Sequence, residues 1–106
     1  MNFQILMSSH KAWKMTRHFR ATRKFDKQFN NLNGIIKKQA LKAIELYMHD
    51  PPHPSLRFKK VQGTDNFFEI SVNMSVRIII EIESDNNNQL NTLYIIGKHE
   101  EVFPPK

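Results

Sequence analysis

The sequence contains no cysteine, three glycines and one tryptophan. Without cysteine there is no disulfide scaffold, no thiol nucleophile and no thiolate metal site. Three glycines leave no glycine-rich loop to cradle a nucleotide phosphate. No apolar run approaches the roughly 20 residues needed to cross a bilayer, so no membrane association is expected. The opening MNFQILMSSHKAW has neither a basic leader nor a convincing cleavage site. No signal peptide is read, and a cytoplasmic location is expected. His10, His18 and His49 do not fall at metal-ligand spacing with acids, so neither a metal nor another cofactor is expected.

Acidic residues are also scarce, but only locally. Residues 1–49 hold ten Lys/Arg against two acids, a local +8, whereas residues 50–106 hold six against eight. The net charge is +6 and the isoelectric point is near 9.8. A basic half of this kind favours a polyanion or an acidic protein as partner and steers encounter with either. The 106 residues fit one domain, and 40% hydrophobic content is enough for one modest core and too much for a disordered chain. Residues 1–13 read as an N-terminal extension of unassigned role.

The periodicity divides the chain in two. Residues 14–19 (KMTRHF) alternate as a first strand. Thr22 then offers a hydroxyl as N-cap, and Phe25, Phe29 and Leu32 recur at helical spacing. Asn33-Gly34 breaks that helix. A second helix is expected from about Ile35 to His49, with Ile36, Ala40, Ala43 and Tyr47 as its inner stripe, widened by Leu41, Ile44 and Met48. Asp50-Pro51-Pro52 ends it, since proline restricts the residue before it and supplies no amide donor.

From there the period changes to two. Leu56–Val61, Phe67–Asn73, Val76–Glu83 and Thr92–Lys98 read as strands, the last two separated by a reversal at Asp85–Asn88. Such short connections imply an antiparallel meander, and the helical hairpin is the available cover for one face. The expected fold is therefore α+β: a strand, an α-hairpin, then a curved, mostly antiparallel four-stranded meander packed on the helices. Alternation puts Phe68, Ile70, Val72, Ile78, Ile80 and Ile82 inward, with Leu56 and Phe58 core-like. Arg57, Lys59, Glu69 and Arg77 gather on the opposite face.

Four segments together resemble the RelE/ParE toxin superfamily of toxin–antitoxin systems. They are HPSLRFKKVQG (53–63), FFEISVNMSVRIIIEI (67–82), LYIIGKHEEVF (93–103) and the helical hairpin of residues 22–51, and the likeness spans about residues 14–103. The resemblance implies a cognate antitoxin as partner. In the RelE-like branch it also implies the ribosome and messenger RNA, cut without a metal through attack by the ribose 2′-hydroxyl. The ParE-like branch instead poisons DNA gyrase, and an inactive homologue would only bind antitoxin.

For the nuclease reading, Arg77 is the expected phosphate clamp, because a guanidinium grips two oxygens at once and stays charged. It matches the strand arginine of RelE-like nucleases. An arginine paired with Glu81 or Glu69 is the plainer alternative. His99 is the expected general acid or base, the one side-chain type that titrates near neutrality unaided; a strand-end histidine bonded to Glu100 or Glu101 is the alternative. Lys59 is expected at the catalytic centre, with Arg57 on the same face and Lys60, which alternation turns the other way unless a bulge intervenes, holding RNA; a solvated basic edge is the alternative. His53 matches a histidine used by some relatives, or simply anchors the loop after the second helix. Phe103 stands where many relatives carry tyrosine. It can stack on a base but cannot move a proton, which shifts that burden to His99.

Overall fold

The computed structural model describes residues 15–49 and 52–104. The expected extension 1–13, with His10 and Trp13, lies outside the described residues, as do Lys14 and the Asp50-Pro51 stop.

Strand β1 runs over Thr16–Ala21 and leads into helix α1, Arg23–Asn30. Thr22 caps that helix as expected: its Oγ1 accepts the amide of Phe25 at 3.0 Å and donates to the carbonyl of Tyr94 at 2.7 Å. One hydroxyl thus fixes both the start of the helix and its seat on the sheet. Helix α2 spans Gly34–Met48, with Asn33 Oδ1 accepting from the Ile36 amide. Ala40, Ala43 and Tyr47 are buried along its inner stripe. Leu41 and Met48 do not widen that stripe; they are exposed, because at 100° per residue they fall outside the arc the sheet covers.

A single 3₁₀ turn, Pro54–Leu56, precedes the two-residue strand β2, Lys59–Lys60. Strands β3 (Phe67–Ser71), β4 (Val76–Asp85) and β5 (Asn88–Lys98) follow, then the one-turn helix α3, His99–Val102. The sheet order is β1-β5-β4-β3-β2. Strand β1 lies parallel to β5, and every other pair is antiparallel. The α+β architecture with a mostly antiparallel sheet is therefore the observed one.

Three local expectations are corrected. The strand expected over Leu56–Val61 shrinks to two residues, because Leu56 closes the 3₁₀ turn and Arg57 adopts a left-handed φ of 52°. The Asp85–Asn88 reversal tightens to a two-residue turn at Asn86-Asn87, with Asn86 at φ 51°, so both flanking strands run on to meet it. A positive φ at asparagine suits a tight hairpin turn. Phe58 is 40% exposed rather than core, although its ring stacks on Phe68 at 5.2 Å.

The main core lies between the helices and one face of the sheet, where Ile70, Ile78, Ile80, Leu93 and Ile96 meet Phe25, Ala40, Ala43 and Tyr47. A smaller cluster of Val61, Ile79, Ile95 and Val102 lies on the opposite face. A β-bulge in β5 sets this division: Ile79 pairs with Ile95, but Ile80 pairs with Leu93, leaving Tyr94 as the extra residue. The bulge resets the alternation, so Leu93 and Ile96 face the helices while Tyr94 and Ile95 pack on the other side.

Candidate functional site

The second face of the sheet carries a concavity of about 390 Å³, lined by Lys59, Lys60, Val61, Gln62, Glu69, His99 and Phe103. Its floor is β3, one wall is the edge strand β2, and the other is α3. Lys59 stands opposite Glu69 in the β2–β3 register, and its Nζ lies 3.4 Å from Glu69 Oε1. The lysine is largely exposed while the carboxylate side chain is only 7% accessible, so the pair has one foot in solvent and one in the sheet.

His99 begins α3, and three contacts hold it. Its amide donates to Ser75 O at 3.0 Å, its carbonyl accepts from the Phe103 amide at 3.2 Å, and its ring lies against Phe103 with centroids 4.5 Å apart. The turn into α3 is made by Glu101, whose Oε1 accepts the Lys98 amide at 2.7 Å. Gly97 leaves room for it: a Cβ there would come within 2.9 Å of that same oxygen. A glycine inside an apolar strand signals such a close approach, and it is the cue in the sequence for a helix that the alternation alone does not reveal.

Arg77 stands opposite Gly97 on β4, two residues from His99 in the β5 chain. It does not line the concavity. Its Nη1 donates to Asn73 O at 2.6 Å and to Val76 O at 3.1 Å, gripping the β3–β4 turn rather than Glu69 or Glu81. Asn73 ties the same turn further, accepting from the Ser75 and Val76 amides and donating to Gln39 on α2. Ser75, the acceptor for the His99 amide, belongs to this turn, so Arg77 and His99 are linked through it.

Arg57 and His53 lie apart from this group. The left-handed backbone at Arg57 takes it out of the strand, so the shared face with Lys59 expected from alternation does not extend to it. His53 caps the 3₁₀ turn, its Nδ1 accepting from the Ser55 amide at 3.1 Å. Among the described residues no group of three or more His, Asp or Glu side chains could hold a metal ion, and no helix is long and apolar enough to cross a membrane.

Arg17 has a place the alternating pattern did not disclose. Its guanidinium donates to the carbonyls of Tyr47, Met48 and His49 at the end of α2 and lies over the rings of Phe19 and Tyr47. A cation on the unsatisfied carbonyls of a helix C-terminus offsets the negative end of the helix dipole.

No family model matches the sequence, and no curated protein matches it. Solved structures do. The toxin–antitoxin complex of DinJ and YafQ from Escherichia coli aligns with a TM-score of 0.67 at 15% identity, over 84% of this chain and 99% of that one. The RelB–RelE antitoxin–toxin complex of Methanococcus jannaschii aligns with a TM-score of 0.62 at 19% identity, over 81% and 96%. A YoeB/ParE toxin from Agrobacterium tumefaciens aligns with a TM-score of 0.63 at 8% identity, over 76% and 96%. The chain has the RelE/ParE toxin fold. At these identities the likeness is one of fold, and one fold can carry several activities. Within this RelE/ParE fold, the concavity between β2, β3 and α3 is where lysines, a carboxylate, an imidazole and an aromatic ring converge.

Proposed function

We propose that this protein is the toxin of a toxin–antitoxin pair, and that it cleaves messenger RNA on the ribosome as a metal-independent endoribonuclease. The observation that carries this reading is the concavity that brings Lys59, Lys60, His99 and Phe103 together on the sheet face the helices leave open. Transesterification needs cations for the charge building on phosphorus, a group to protonate the departing 5′ oxygen, and a surface to hold the flanking base. Lys59 and Lys60 supply charge, His99 the proton and Phe103 the stacking face.

Arg77 joins from the adjacent turn. Its Nη1 is committed to the Asn73 and Val76 carbonyls, while Nε and Nη2 have no partner among the described residues and are left to meet a phosphate oxygen. Arg57 and His53 extend the basic approach along the loop ahead of β2. The toxin–antitoxin complexes among the fold neighbours support an antitoxin as partner. An acidic segment is the chemistry that would cover a basic surface of this kind.

Purified protein added to translating ribosomes is expected to cut the message, with primer extension mapping the 5′ end of the downstream fragment and end analysis finding a 2′,3′-cyclic phosphate on the upstream one. His99→Ala should slow the cut by about 10²–10⁴-fold, the usual worth of a positioned proton donor. Arg77→Ala should slow it by roughly 10²–10³-fold, as for loss of a charge-stabilising donor. Message left intact at saturating protein would overturn the reading. Growth arrest that disappears in cells with altered gyrase would then identify a gyrase inhibitor.

A further inference from the structure

Glu69 is the sole charged residue buried among the described residues, 5% exposed on β3. Its one ion pair among the described residues is with a lysine that is mostly in water, at 3.4 Å, a poor return for removing a carboxylate from solvent. A carboxylate at the floor of a cleft, beside two lysines and an imidazole, stands where a proton carrier would be needed.

The composition of the cleft narrows what that function is. Cleavage by the 2′-hydroxyl needs two proton carriers, one to accept from the attacking oxygen and one to donate to the leaving oxygen. Phe103, Val61 and Gln62 can do neither. Lys59 and Lys60 serve as cations only while they keep their protons. His99 and Glu69 remain, one at the α3 wall and one at the floor.

We propose that Glu69 is the general base of this site, working opposite His99 as general acid, an inference that rests on the nuclease reading above. The Glu69 carboxylate takes the 2′ proton as the O2′–phosphorus bond forms. The phosphorus–O5′ bond breaks, and O5′ takes its proton from the His99 imidazolium. The products are a 2′,3′-cyclic phosphate and a free 5′-hydroxyl, and solvent then resets both groups. The charged groups around Glu69 are Lys59 and Lys60 on β2, Arg77 and Glu81 flanking its partner Ile79 on β4, and His99 on α3. Lys59 Nζ lies 3.4 Å from the carboxylate.

The test is single-turnover cleavage on translating ribosomes by wild type, Glu69→Gln, Glu69→Asp and His99→Ala across pH. Glu69→Gln should fall by about 10²–10⁴-fold and lose the acidic limb of the pH–rate profile, while Glu69→Asp recovers part of the rate and keeps the limb. A message with sulfur replacing the bridging 5′ oxygen needs no general acid. It should rescue His99→Ala and leave Glu69→Gln slow. The proposal is overturned if Glu69→Gln keeps the acidic limb, or if the sulfur substrate rescues it as it rescues His99→Ala. If Glu69→Gln does not fold, wild type alone decides: a profile without an acidic limb on the sulfur substrate excludes a carboxylate base. A wild type that cuts nothing removes the nuclease reading itself, an outcome distinct from either.

Discussion

The two faces of the sheet are built from the same strands and do different things. Toward the helices, Ile70, Ile78 and Ile80 are wholly inaccessible and meet an aliphatic and aromatic layer from α1 and α2. Away from the helices, Ile79 is equally buried, yet its cluster has only Val61, Ile95 and Val102 as buried members and gives way at once to Glu69, Lys59 and His99. One face is covered by two helices and kept dry. The other is roofed by one helical turn and keeps a carboxylate. A sheet can do both because alternation lets each residue choose a side independently of its neighbour.

If that division holds, the largest loss of stability belongs to the helix-facing side. Ile78→Ala should cost about 2–5 kcal/mol in equilibrium urea unfolding, the sum of lost transfer energy and a cavity that rigid neighbours cannot fill. Ile79→Ala should lie at the lower end of that range, because its small cluster borders the cleft and can relax into it. Equal losses would mean that the two faces are equally packed.

A smaller effect tests the polar seam at the edge of the main core. The Tyr47 hydroxyl donates to Asn91 Oδ1 at 2.6 Å, and Asn91 Nδ2 donates to His18 O and Gln89 Oε1. Tyr47→Phe should cost about 1–3 kcal/mol by leaving a buried acceptor unmet. Burial pushes the Tyr47 phenol above its usual value near 10, with the Arg17 guanidinium pulling the other way by charge and hydrogen bond. The folded state therefore holds this proton more tightly than the unfolded one. The associated stability is present in full below pH 10 and is lost as pH climbs through the raised folded value. Wild type should weaken in that alkaline range more steeply than Tyr47→Phe, as followed by thermal unfolding.

The sequence discloses these faces unequally, and the reasons are physical. Regular periodicity is legible wherever many residues repeat one choice, so the hairpin stripe of Ala40, Ala43 and Tyr47 and the inward set of Ile70, Ile78 and Ile80 can be read directly. What breaks a period cannot. The bulge at Tyr94 reverses which residues of β5 point inward, and the left-handed Arg57 ends a strand that its composition would continue. Alternation therefore places Lys59 and Glu69 together correctly but carries Arg57 onto a face that its left-handed backbone leaves. Arg77 shows a further limit: its position on β4 is legible, whereas the grip of its Nη1 on the β3–β4 turn depends on a backbone conformation that no pattern of side chains encodes.

The smallest expected change in stability is the most pointed. Glu69→Met replaces a buried carboxylate by an apolar chain of similar length, next to a cluster that already contains Val61 and Ile79. Its partner Lys59 is mostly solvated and loses little by standing alone. Replacing a buried ionic group by a well-packed apolar one is often neutral or stabilising, so the midpoint of urea unfolding should stay level or rise by about 1 kcal/mol equivalent. Ile78→Ala should unfold far more easily and still cut RNA wherever it remains folded, whereas Glu69→Met should remain folded and cut about 10²–10⁴-fold more slowly. A clear loss of stability in Glu69→Met would mean that the carboxylate is structural, held in the sheet by its pairing with Lys59. The cleft face would then be a weaker copy of the helix face rather than a surface on which stability has been exchanged for chemistry.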